Sequence, residues 1–156
     1  MLPKTHIIVG IIVSLIIFIF WPSAGLFNIS IIFLSSILTD FDHYLYFIWT
    51  KKDFSLVHAY RWFVRNRKFT ASIPFSQRRK YKLPVMIFHG IEFWIFLLVL
   101  SFMNKIFIWV LVGTIAHMFV DFTELITLNI PLYTKISQIY VYIQNKGKKQ
   151  LPITIS

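Results

Sequence analysis

The 156-residue chain contains no cysteine, which excludes a disulfide framework, a thiolate metal site and a cysteine nucleophile. Acids are scarce too: 6 Asp and Glu stand against 16 Lys and Arg, for a formal charge of +10. With only 5 Gly and 6 Pro, and with its apolar residues in long blocks, the chain is neither collagen-like nor disordered. Hydrophobic residues make up 57% and aromatics 19%, above the ~45–50% apolar content of an ordinary globular domain. A soluble enzyme is therefore not expected, the length leaves room for one domain, and any metal must be held by His and carboxylates.

Four apolar segments, 7–21, 26–38, 83–103 and 106–122, are free of Lys and Arg and read as helices. Only 83–103 reaches the ~20 residues that cross ~30 Å of hydrocarbon, so the others must use their flanks or thin the bilayer. The second is expected to run on through Asp40–His43 to Trp49, where Tyr44, Tyr46, Phe47 and Trp49 form an aromatic mix suited to headgroup depth. Pro22-Ser23-Ala24-Gly25 and Asn104-Lys105 read as tight turns, which predicts two antiparallel hairpins. No internal repeat is visible. Segment 7–21 followed by Ser23-Ala24-Gly25 also has the pattern of a cleaved signal peptide. A second apolar block follows at once, and cleavage would leave an odd number of spans, so the retained helix is preferred.

Residues 51–82 hold ten basic side chains, Lys51, Lys52, Arg61, Arg65, Arg67, Lys68, Arg78, Arg79, Lys80 and Lys82, against one acid, Asp53. Lys4, Lys135, Lys146, Lys148 and Lys149 fall on the same side of the predicted hairpins, and Lys105 alone on the other. The bias places both termini and the basic loop in the cytoplasm of a multi-pass cell-membrane protein. Residues 123–156 read as an intermittently apolar interfacial tail interrupted by Pro131. The expected architecture is thus a single all-α integral membrane domain over 1–156.

The polar residues inside these segments carry the chemistry. Asp40, Asp42, Glu92 and Asp121, with His6, His43, His89 and His117, lie in or against apolar stretches, although each ionisable group in a bilayer costs ~2.5–3.5 kcal/mol even on insertion scales. In the hairpin topology all eight fall near the cytoplasmic headgroups. Asp40/His43 and His89/Glu92 are spaced i,i+3 and His117/Asp121 i,i+4, so each pair is expected on one helix face. Asp42 would point away from Asp40 and His43 on an ideal helix, so it either reaches a second metal or lies where the helix breaks. Imidazole and carboxylate donors without thiolate suit Zn²⁺, Mn²⁺ or Fe²⁺, and the surplus over four ligands admits two or more ions. The carboxylates Asp42 and Glu92 are candidate general base or acid.

With Thr5-His6 near the start, Asp40-Phe41-Asp42-His43 after the second segment, His89 in the third and His117…Asp121 closing the fourth, residues 5–121 resemble a known family. It comprises small inner-membrane-associated metal-dependent hydrolases, regarded as distant relatives of zinc-dependent phospholipase C and P1 nuclease. The chain departs from the family pattern at Thr39, where Pro is frequent, and at Phe88-His89-Gly90, where Thr-His-Ser is frequent; His58…Arg61 corresponds loosely to a family His-Arg. The resemblance implies zinc ligands at His6, Asp40 or Asp42, His89, His117 and Asp121, and has no counterpart for Glu92.

As a helix, the stretch after Asp53 would put His58, Arg61, Arg65 and Lys68 on one face and Leu56, Tyr60, Phe63 and Val64 on another. Arg61, Arg65 and Lys68 are the candidate phosphate or headgroup contacts, with membrane lipids as the expected partner in preference to nucleic acid; His58 reads as a surface histidine. Taken together, the residues predict a membrane-bound metal-dependent hydrolase of a phosphoester. The alternatives are a divalent-metal or proton carrier, and a docking protein with a structural metal site.

Overall fold

The computed structural model describes residues 3–78 and 80–150. Arg79 of the basic run and 151–156 of the tail lie outside the described residues. Among those described there is no β-strand, only an isolated bridge between Tyr81 and Lys149. The helices are α1 (Pro3–Phe20), α2 (Gly25–Leu38), α3 (Phe41–Lys51), α4 (Leu56–Ser72), α5 (Phe75–Arg78), α6 (Ile91–Ser101), α7 (Ile106–Thr127), α8 (Tyr133–Ile136) and α9 (Gln138–Gln144), with a 3₁₀ turn at Pro22–Ala24.

The bundle forms around α2, which packs along α7 and α1, while α1 and α6 each also contact α7. Close approach of α2 and α7 depends on Gly113, where a Cβ would strike the Ser35 hydroxyl and the Ile32 carbonyl. The buried face of α7 recurs at Gly113, His117, Asp121 and Leu125, the four-residue step that keeps side chains on one stripe. That stripe is half polar, and large apolar side chains point outward instead: Phe20 is 83% exposed and Phe102 89%, with Ile12, Leu15, Leu34, Phe96 and Val99 also exposed. So much contiguous apolar surface calls for an apolar medium or partner. Pro22–Lys51, over 30 residues, and Ile106–Thr127, over 22, are long and apolar enough to cross a membrane, which supports membrane association.

One expectation is corrected. The segment 83–103 is not one long helix: α6 has 11 residues and covers about 16 Å at 1.5 Å per residue. Pro84 disfavours helix at its predecessor and lacks an N–H, and Gly90 adopts φ 120°, which a side chain would resist. The backbone before α6 is satisfied by distant side chains: Leu83 N–H donates to Asn145 Oδ1, Met86 N–H to Gln138 Oε1, and Phe88 N–H to Asp42 Oδ2, each at 2.8 Å. The second apolar segment does run on through Asp40–His43 to Lys51, with the helix interrupted at Thr39–Asp40. There the Thr39 hydroxyl donates to the Ser35 carbonyl and Asp40 N–H to the Ile37 carbonyl, a tightened turn that re-phases α3 against α2.

The basic loop is largely helical. Ser55 caps α4 by accepting the His58 N–H, and Asp53 accepts the Ser55 N–H and meets His58 Nδ1 at 2.7 Å. Those two contacts, the Ser55 N–H first, hold the Asp53 carboxyl below the usual carboxylate range. α4 is anchored on α3 through Trp62 and Ala59 against Phe47, and on α7 through an Arg67–Glu124 ion pair of 2.7 Å.

Candidate metal centre

Asp40 comes from the break between α2 and α3, Asp42 and His43 from the first turn of α3, His6 from the start of α1, His89 from the loop before α6, and His117 and Asp121 from α7. All seven meet at one end of the α1–α2–α7 bundle. His6, Asp42, His89, His117 and Asp121 are buried, whereas the Asp40 and His43 side chains are each 27% exposed and form its open edge.

Hydrogen bonding decides which atoms face inward. His117 Nδ1 lies 2.8 Å from the Ser36 carbonyl oxygen, which only accepts, so Nδ1 carries the proton and Nε2 presents a lone pair. His89 Nδ1 is likewise committed to the Asp42 carboxylate at 2.9 Å, and its Nε2 is the free donor atom. These two Nε2 atoms approach to 3.1 Å, a spacing that calls for a proton or a metal ion between them. Asp121 Oδ2 lies 3.2 Å from His89 Nε2 and 3.3 Å from His117 Nε2, and Asp40 Oδ1 lies 3.7 and 3.5 Å from the same two atoms.

Four acceptor atoms converging in this way repel one another unless a cation lies among them. Lys135 Nζ meets Asp121 Oδ2 alone, and a proton satisfies one pair, whereas a metal ion satisfies both Nε2 atoms and a carboxylate oxygen together. In a tetrahedral site with metal–ligand bonds of about 2.0–2.1 Å, the ligand atoms stand roughly 3.3–3.4 Å apart, close to the spacings here. The supporting contacts, a carboxylate behind one imidazole and a carbonyl behind the other, are those that fix tautomer and ring orientation in metal sites. The buried His/Asp cluster can therefore hold a metal ion.

The remaining carboxylate oxygens turn toward His6. Its Nε2 lies 3.5 Å from Asp40 Oδ2 and 3.6 Å from Asp121 Oδ1, its ring stacks on His117 at 4.0 Å, and neither of its buried nitrogens makes a hydrogen bond. Asp40 and Asp121 thus each offer one oxygen to either side.

Asp42 sits in the first turn of α3, just past the helix break, and accepts from His43 Nδ1, His89 Nδ1 and Phe88 N–H. Both of its oxygens are engaged in these contacts. Glu92 does not join the centre. The turn at Gly90 parts it from His89, and it accepts instead from Ser137 Oγ, Gln138 N–H and Ile139 N–H at the start of α9. Arg61, Arg65 and Lys68 are exposed on the face of α4 opposite Ala59 and Trp62 and do not line the centre. His58 pairs with Asp53 at the surface. A residue the sequence reading passed over does reach in: Lys135 of α8, whose Nζ lies 2.9 Å from Asp121 Oδ2. Nothing in its local pattern marks it, because its neighbour is set by the chain reversal after α7.

No family model, curated protein or solved structure matches the chain. The donor atoms themselves carry the chemical reading.

Proposed function

We propose that this protein is a membrane-embedded, metal-dependent hydrolase of a phosphoester, with a phospholipid headgroup or lipid-linked phosphate as substrate. The observation that carries the reading is the convergence of His89 Nε2, His117 Nε2, Asp40 Oδ1 and Asp121 Oδ2, with His6 beside the outer carboxylate oxygens. Borderline imidazole donors with carboxylates favour Zn²⁺, with Mn²⁺ or Fe²⁺ as alternatives. Asp40 and Asp121, each with one oxygen toward His6 and the other toward His89 and His117, would be among the residues that hold the metal. Bound ions supply Lewis acidity toward a phosphoryl oxygen and lower the pKa of a coordinated water toward neutrality.

The protein's own groups divide the remaining work. Asp42 and the Ser36 carbonyl hold the two imidazoles in the ligating tautomer. His43, at the open edge and backed by Asp42 at 2.9 Å, is the group placed to carry a proton at Nε2. Arg61, Arg65 and Lys68, facing away from the centre, serve adhesion to anionic headgroups at ~1 kcal/mol each near the surface.

In the membrane, α1 with α2–α3 and α6 with α7 form two hairpins whose metal-bearing ends and α4 face the cytoplasm. The non-helical backbone before α6 suits that setting where it is buried, at Met86 and His89, and side chains accept the Leu83, Met86 and Phe88 N–H groups, while the apolar Ile87 faces outward. An ion carrier is disfavoured, since the outer parts of α1, α2 and α7 contain Ser, Thr and Asn but no ionisable group before Lys105.

The test is the double variant Asp40→Ala, His117→Ala beside wild type, purified in detergent. Inductively coupled plasma mass spectrometry should find at least one zinc equivalent in the wild type and none in the variant, and hydrolysis of phospholipid vesicles should vanish with it. Retention of both metal and hydrolysis by the variant overturns the assignment.

A further inference from the structure

Lys135 is held over the centre by a strap that includes the two helices after α7. The chain reverses beyond α7 at Asn129, which takes the left-handed conformation at φ 50°, and the Ile130 N–H closes onto the Leu125 carbonyl at 2.8 Å. That reversal lays α8 beside the last turns of α7. Three donors at the start of α9 bind Glu92, the Gln138 side chain bridges Thr134 O and Met86 N–H, and Asn145 pairs with both backbone groups of Leu83. The strap thus delivers one ammonium to Asp121 Oδ2 at 2.9 Å, on a side chain only 15% exposed.

Burying a lysine is costly unless its charge is matched, and the carboxylate it meets is one the centre needs for a metal. An oxygen shared with a metal ion neutralises an ammonium poorly. An ammonium carries three N–H donors, of which Asp121 takes one. We propose that Lys135 is the anion-binding residue of this centre: its ammonium takes a non-bridging oxygen of a phosphate or phosphoester while Asp121 holds the side chain in place. This rests on the phosphoester reading above. Glu92 is then a positioning residue, acting through α9 and α8 on Lys135. No bond is made or broken in this step; the lysine supplies charge and donors.

The experiment uses the full chain in detergent, loaded with zinc, as wild type, Lys135→Gln and Lys135→Arg. One probe is inorganic phosphate, followed by calorimetry; the other is phosphatidylglycerol in phosphatidylcholine vesicles, followed by co-flotation. Loss of one charge-assisted contact should weaken phosphate or vesicle binding about tenfold in the Gln variant, while Arg restores it to within about threefold of wild type and zinc content stays equal in all. Dependence on Lys135 seen only with vesicles makes the ligand a lipid phosphate, and dependence seen with inorganic phosphate makes it a free anion; both support the proposal. Equal binding by wild type and Lys135→Gln overturns it and leaves the phosphoester reading standing. A zinc-loaded wild type that binds neither probe overturns both. Lower zinc content in Lys135→Gln, with binding falling only in proportion, overturns it in favour of a structural role. Should Lys135→Gln fail to fold, Lys135→Met keeps the aliphatic stem and carries the same expectations.

Discussion

Asp42 offers the sharpest check on the geometry, because it touches His89 and His43 of the candidate metal centre without facing into it. Its Oδ2 accepts from His89 Nδ1 at 2.9 Å and Phe88 N–H at 2.8 Å, and its Oδ1 meets His43 Nδ1 at 2.9 Å. In Asp42→Asn, an amide oxygen at the Oδ2 position keeps the first two contacts, and only the contact to His43 and the negative charge are lost. In Asp42→Ala all three donors lose their partner and the His89 ring is free to turn. Removing a group behind a metal-bound imidazole costs about 10–100-fold in metal affinity, roughly 1.4–2.7 kcal/mol. We expect Asn near the tenfold end and Ala near the hundredfold end, with Ala also less stable by about 1–3 kcal/mol from the donors left unsatisfied. Zinc affinity is read by competition with a chromophoric chelator in detergent, and stability by thermal melting of the metal-free protein. Wild-type affinity in Asp42→Ala, or an Asn variant weaker than Ala, refutes the assignment of Asp42 as the group that orients His89.

Glu92→Gln should lower stability by about 1–2 kcal/mol, because a charged acceptor of three bonds at α9 becomes neutral, while zinc content is unchanged. Loss of zinc without a change in melting would instead put Glu92 in the centre. Gly113→Ala drives a Cβ into the Ile32 carbonyl, which should cost about 1–3 kcal/mol as overpacking and weaken zinc binding by separating α2 from α7; a melting curve and zinc affinity equal to wild type contradict the close approach. The chain has no cysteine, so Ser76→Cys and Asn104→Cys can be labelled one at a time in intact cells. An impermeant maleimide should modify position 104 and spare position 76, and the reverse pattern inverts the topology.

Much of the centre is legible in the sequence because its determinants are local. Apolar blocks interrupted by His and Asp announce themselves without knowledge of the fold, and His117 and Asp121, one helical turn apart, share a face in any α-helix. The irregular phase of Asp42 against Asp40 also signals the break that the structure contains. Local spacing fails at His89 and Glu92. Their i,i+3 interval implies a shared face only if a helix runs through both, and Pro84, Gly90 and competing side-chain acceptors prevent that.

The sequence by itself determined that the chain is helical, rich in apolar surface and asymmetrically charged, and that its metal-type side chains lie in and beside its apolar blocks. These properties follow from composition and from periodicities shorter than two helical turns. Tertiary structure alone decided which atoms meet. The acceptor for Phe88 N–H lies 46 residues away, that for Met86 N–H 52, and that for Leu83 N–H 62, and no short-range pattern encodes such pairings. Lys135 owes its place to the same cause. A reversal after α7 and a strap pinned by Glu92 bring its charge to Asp121, whereas the cations of α4 that look most suited to phosphate are turned outward because Trp62 and Ala59 claim the inner face.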